Sequence, residues 1–147
     1  MEDVIVKNNI KLKVDAHNWE HAIKLAGEIL LSRGSITEDY IQNMINSVKE
    51  YGPYIVIAPN IAIAHARPDK SVICSDISLI TLKKPVEFGN KQNDPVYIVF
   101  AFSATENEAH LKQLSVISQI LEDEDKIKRI INSSDEEEVY KLVNNKI

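Results

Sequence analysis

The sequence is short of several things, and each shortage excludes something. It carries one cysteine, Cys74, so it can form neither an internal disulfide nor a cysteine metal cage. That usage fits a reducing cytoplasm. It has four glycines, and none is spaced as GxxxxGK or GxGxxG, so a nucleotide-binding phosphate loop is not supported. No apolar run approaches the ~20 residues that cross a bilayer. The longest, Val96 to Phe102, is the size of a strand. The acidic start, Met1-Glu2-Asp3, lacks the apolar stretch of a secretion signal. Positive charge is not concentrated: the net charge is -5 and Lys and Arg are spread along the chain. That argues against a nucleic-acid footprint and is compatible with a basic protein partner. There is no internal repeat, low-complexity tract or linker.

What is present describes one domain over residues 1–147. The hydrophobic share of 44% supplies a core, and the charged share of 27% supplies an ordinary soluble surface. Val4-Ile5-Val6 reads as a short strand. Ile10 to Val14 alternates apolar and basic residues, as a half-buried strand does. Asn18 caps a first helix that runs to Ser32 and ends at Arg33-Gly34. Thr37, with Glu38 and Asp39 behind it, opens a second helix that Gly52-Pro53 closes. Strands follow at Ile55 to Ile57, Ile61 to Ala64, Asp76 to Leu82 and Val96 to Phe102. A third helix covers Glu106 to Leu121, and two shorter ones lie near Glu124–Ile131 and Asp135–Asn144. The expected fold is α/β, a single mixed parallel/antiparallel sheet packed by helices.

Four histidines are the candidates for chemistry. His65 ends the strand Ile61 to Ala64, between two alanines, and Pro68 stops the strand soon after. It is sterically open and held by a rigid element. Arg67, two residues on, turns to the same side of an extended chain. An imidazole is nucleophilic near neutral pH, and a guanidinium grips phosphoryl oxygens. The competing reading is a structural histidine hydrogen-bonded at a strand terminus. His110 lies in the first turn of the third helix, at the edge of its apolar face and at the sheet margin where sites in open α/β sheets gather. Its competing reading is a half-exposed residue bonding nearby backbone. His17 and His21 form an H-x-x-x-H pair that straddles the Asn18 cap. Neither HExxH nor a third ligand accompanies it, so no metal site is expected. Cys74 reads as a buried or half-buried small apolar residue.

The segment from Tyr51 to Pro68, ending Ile61-Ala62-Ile63-Ala64-His65-Ala66-Arg67-Pro68, resembles the phosphohistidine segment of enzyme IIA components of the bacterial sugar phosphotransferase system. The mannitol/fructose type is the nearest class, and the ascorbate-specific branch, where His-Ala-Arg-Pro is typical, the nearest branch. The resemblance extends to Trp19 through Ile23, to Tyr40, Met44 and Ile45, to Val96–Phe102 and to His110-Leu111. It implies a phosphotransferase that takes a phosphoryl group from the phosphocarrier HPr onto His65, at Nε2. The group then passes to a IIB component, which serves a membrane IIC permease. It implies His110 as the second family histidine and no cofactor. Lys49 falls where the mannitol branch commonly has Arg, and Ala64 where many relatives have Pro.

An ammonium lacks the planar fork of a guanidinium, so Arg67 is expected to be the stronger phosphate contact and Lys49 the auxiliary. Ile61, Ile63 and Ala66 are expected to form an apolar rim around His65 for two partner proteins. Ascorbate or a related sugar is the implied cargo. Two other readings compete. One is a IIA-like regulatory module, phosphorylated on His65, that signals by binding proteins. The other is a metal-dependent hydrolase using His17, His21, His65 and His110.

Overall fold

The computed structural model describes residues 3–146; Met1 and Glu2 of the acidic start, and Ile147, lie outside the described residues. Five strands form one sheet: β1 (Ile10–Val14), β2 (Val56–Ala58), β3 (Ile61–Ala64), β4 (Asp76–Val86) and β5 (Val96–Ser103). Their order is β1-β4-β5-β3-β2. β1 runs parallel to β4 and β3 parallel to β5, while β4–β5 and β2–β3 are antiparallel. The expected mixed sheet is therefore the observed one.

Helices cover both faces. α1 (Trp19–Ser32) and α2 (Glu38–Tyr51) pack on one; α3 (Asn107–Leu121), α4 (Glu124–Asn132) and α5 (Glu136–Val143) pack on the other. Side chains alternate along a strand, and β3 divides accordingly. Ala62 and Ala64 join the α1–α2 core, whereas Ile61 and Ile63 join the core of α3 to α5. The three helices of that second layer surround Phe100 and Phe102 of β5.

Local chemistry sets the boundaries. Asn18 Oδ1 accepts from the His21 N–H at 2.8 Å and caps α1. Gly34, at φ +78°, reverses the chain after α1, and the Ser35 N–H bonds the Leu30 carbonyl at 3.0 Å. Gly27 lets α1 and α2 close on each other: a Cβ there would lie 2.8 Å from Ile41 Cγ1. The loop after β4 covers the free side of β2, whose Val56 carbonyl accepts from Asn93 Nδ2 at 2.9 Å and Asn90 Nδ2 at 3.3 Å.

Three expectations need correction. Val4–Val6 is not a strand. Ile5 is buried, but the N–H groups of Val4 and Ile5 both donate to Asn144 Oδ1, and a 3-10 turn over Lys7–Asn9 follows. Backbone hydrogen bonding there is met by a side chain rather than a ladder. β4 continues past Leu82 to Val86 through Pro85. Pairing with β1 ends at Leu82, so the missing proline N–H breaks no bond on that side. Cys74 is exposed, in the loop before β4. Its backbone is held, with its N–H bonded to the Ser35 carbonyl and its carbonyl to Ser103 Oγ, but its thiol faces outward. Among the described residues no helix is long and apolar enough to cross a membrane.

Candidate active site

β3 and β5 end at the same edge of the sheet, with Ala64 opposite Ala101. His65 follows β3 directly. His110 arrives on the first turn of α3, which β5 feeds through Ala104 to Glu106. The two imidazoles meet there, with centroids 5.2 Å apart and planes tilted by 45°. They open onto a cavity of about 630 Å³ that Arg67, Tyr54 and Glu50 also line.

The tautomer of His65 follows from one hydrogen bond. Its Nδ1 lies 2.9 Å from the Ile63 carbonyl oxygen. A carbonyl only accepts, so Nδ1 carries the proton and Nε2 keeps its lone pair. Burial pushes the His65 pKa below the usual histidine value, and the bond to Ile63 opposes that shift without reversing it. His110 is lowered as well, first by burial and then by the proximity of His65. The pair is thus set up as two neutral rings, one of them with a fixed, unprotonated nitrogen.

Packing holds both rings. Tyr54 meets His65 edge-on at 5.6 Å, and Phe102 meets His110 edge-on at 6.1 Å. α2 and the residue that caps it, Thr37, carry the supports of the loop after β3. The Thr37 N–H bonds the Ser71 carbonyl at 2.9 Å, the Tyr40 hydroxyl bonds the Ala66 N–H at 3.0 Å, and Asn43 Nδ2 bonds Asp69 Oδ2 at 3.3 Å. The stripe of Tyr40 and Asn43 continues as Ser47 and Glu50 into the cavity wall.

The other predicted positions divide. Arg67 lines the cavity and is exposed, and among the described residues no acidic side chain pairs with it. Asp69 is engaged elsewhere, by the N–H and hydroxyl of Ser71. Lys49 is not brought to the cavity: its Nζ lies 3.5 Å from Glu20 Oε2 of α1. Each helical residue advances about 100°, so Lys49 sits about a quarter-turn or more from the Ser47–Glu50 stripe. Ile61 and Ile63 are 2% and 1% exposed and belong to the core, so they form no rim. Ala66 does line the cavity, and the exposed apolar groups beside it are Tyr51 and Tyr54.

His17 and His21 stack on each other at 4.7 Å, with His21 Nδ1 accepting from the His17 N–H, and neither lines the cavity. Among the described residues no three His, Cys, Asp or Glu side chains converge as metal ligands. The supporting stripe at 37, 40, 43, 47 and 50 went unread in the sequence. Its signal is there, as polar and aromatic residues at spacings of three and four alongside the apolar face of α2.

The profile of the phosphoenolpyruvate-dependent sugar phosphotransferase system, EIIA 2, matches residues 3–146. The chain belongs to this family. It is 34% identical over 145 residues to the ascorbate-specific PTS system EIIA component of Escherichia coli K12, covering 97% of this chain and 94% of that one. Among solved structures it is similar to the mannitol-specific cryptic phosphotransferase enzyme IIA of E. coli, with a TM-score of 0.86 and 27% identity, covering 97% and 96% of the two chains. It is equally similar to enzyme IIA mannitol in complex with phosphorylated enzyme IIB mannitol from E. coli, with a TM-score of 0.86 and 26% identity over 96% and 97%. EIIA components of this system are phosphotransferases that act through a phosphohistidine, and this EIIA chain is accordingly a sugar phosphotransferase component.

Proposed function

We propose that this EIIA chain, a single domain over residues 1–147, is the cytoplasmic phosphocarrier that takes a phosphoryl group from phospho-HPr onto His65 Nε2 and passes it to IIB. The observation that carries the reading is the 2.9 Å contact of His65 Nδ1 with the Ile63 carbonyl, which leaves Nε2 as the nucleophile. Phosphoryl transfer asks a protein chiefly for alignment and charge stabilisation. Nε2 attacks phosphorus in line, and the bond from phosphorus to its carrier breaks as the P–Nε2 bond forms. The phosphorylated ring gains positive character, and the Ile63 carbonyl stabilises its Nδ1–H.

His110 and Arg67 serve the equatorial oxygens, His110 at a ring spacing of 5.2 Å and Arg67 from the cavity wall. Lys49, paired with Glu20, is at most an auxiliary charge. No cofactor takes part. The group then moves to IIB, which delivers it to sugar entering through a IIC permease. The identity to ascorbate-specific relatives supports ascorbate or a related sugar as the cargo.

The test is reconstitution with phosphoenolpyruvate, enzyme I and HPr, read by intact mass and peptide mapping. One phosphoryl group on His65, abolished in a folded His65→Ala variant, is the expected result. Label on His17, His21 or His110 would refute the assignment.

A further inference from the structure

Tyr40 belongs to α2, yet its hydroxyl reaches across to both strand ends of the site. It accepts from the Ala66 N–H at 3.0 Å and donates to the Phe102 carbonyl at 2.6 Å. The Ala66 carbonyl lies farther, at 3.3 Å, and a hydroxyl has one proton, so the shorter bond takes it. Ala66 is the residue after His65. Phe102 is the residue whose ring packs on His110. One oxygen therefore joins the backbone beside the first imidazole to the backbone beneath the second. Tyr40 is 1% exposed, so water does not compete for these bonds.

We propose that Tyr40 is a positioning residue for phosphoryl transfer, its hydroxyl fixing the spacing of His65 and His110 by pinning β3 to β5 where the two strands part. The inference rests on the phosphocarrier reading of His65. Ala64 and Ala101 are the last paired residues of β3 and β5. Beyond them no ladder holds Ala66 to Phe102, and the hydroxyl takes over that task. Burial raises the phenol pKa to about 12, which keeps its proton in place through the physiological range.

The variant is Tyr40→Phe, which keeps the ring in the core and removes one oxygen. Ile29→Val, a remote core change on α1, is the control for lost stability alone. Misplaced reacting groups cost rate rather than partner affinity, so Tyr40→Phe is expected to lower the saturating rate of phosphoryl acceptance about tenfold with KM for HPr unchanged. Ile29→Val is expected to lose stability and keep its rate. Imidazole ¹⁵N spectra of the unphosphorylated proteins need no donor, and Tyr40→Phe is expected to shift the His65 and His110 signals. A Tyr40→Phe protein with the wild-type rate and unmoved imidazole signals overturns the proposal. So does a wild-type Ala66 amide that exchanges with solvent as fast as an open loop, a measurement that needs no variant. A wild-type chain that phospho-HPr does not label at all refutes the phosphocarrier reading instead.

Discussion

His65 and His110 sit 5.2 Å apart, ring to ring; burial holds both below the usual histidine value, and His65 lowers His110 further. Two imidazolium rings at that distance repel, and burial penalises either charge alone. The arrangement favours the neutral nucleophile that attack on phosphorus requires.

This fixes a pH dependence. An unperturbed histidine titrates near 6.5, and His65 titrates below that in the folded chain. Phosphoryl acceptance is therefore expected to stay near its maximum as pH falls through 6.5, and to decline only below it. Stability moves in the matching direction. The unfolded chain binds the proton first, so the His65 contribution is complete above pH 6.5 and is lost as pH drops toward the folded-state value. Urea titrations of wild type and His65→Gln across pH 5 to 7.5 measure it: the wild type should lose stability more steeply. Parallel curves would contradict the burial argument.

His110→Ala should still accept phosphate from HPr, more slowly, and should be impaired in passing it to IIB. The ring faces His65 and packs on Phe102, so it can follow the group through both transfers. Single-turnover kinetics of the two half-reactions separate them. Normal rates in both would reduce His110 to a structural residue.

Arg67→Gln should slow phosphorylation by HPr roughly ten- to a hundredfold, the equivalent of about 1.5–3 kcal/mol for a charge-assisted hydrogen bond made in the transition state. Lys49→Gln should change it little, because Lys49 is spent on Glu20 at the surface. The comparison is made at low and physiological salt. A failing Lys49 variant beside an intact Arg67 variant would reverse the ranking.

With a net charge of -5, encounter with a basic partner should be steered by charge. Stopped-flow association with HPr is expected to slow as salt rises, with dissociation changing less, since screening acts on approach. Association indifferent to salt would instead mark an interface ruled by the exposed Tyr51 and Tyr54 rings.

Much of this was readable from residues because the signals were local. The alternation of Ile10 to Val14, the Asn18 cap and the glycines at 34 and 52 act within a few residues, and the elements fall where those signals put them. The family segment pointed to His65 and the wider resemblance to His110, and the topology of parallel β3 and β5 explains why residues 45 apart in sequence meet. What stayed hidden depends on tertiary geometry. A motif match sets Lys49 at a spacing from His65 but says nothing of helical phase, and phase turns it toward Glu20. Ile61 and Ile63 looked like a rim because alternation cannot say that α3 to α5 cover that face. Tyr40 was legible only as a position of the family resemblance, since its two backbone partners are 26 and 62 residues away.

The covered edge of the sheet has a bearing on turnover. Asn93 and Asn90 occupy the Val56 carbonyl on the outer rim of β2. A visiting strand would meet that carbonyl already engaged, which disfavours its adding to the sheet there. Contact through side chains is the mode left open at that position. In the phosphocarrier reading proposed above, a relay that hands its cargo from one visitor to the next would gain from brief visits.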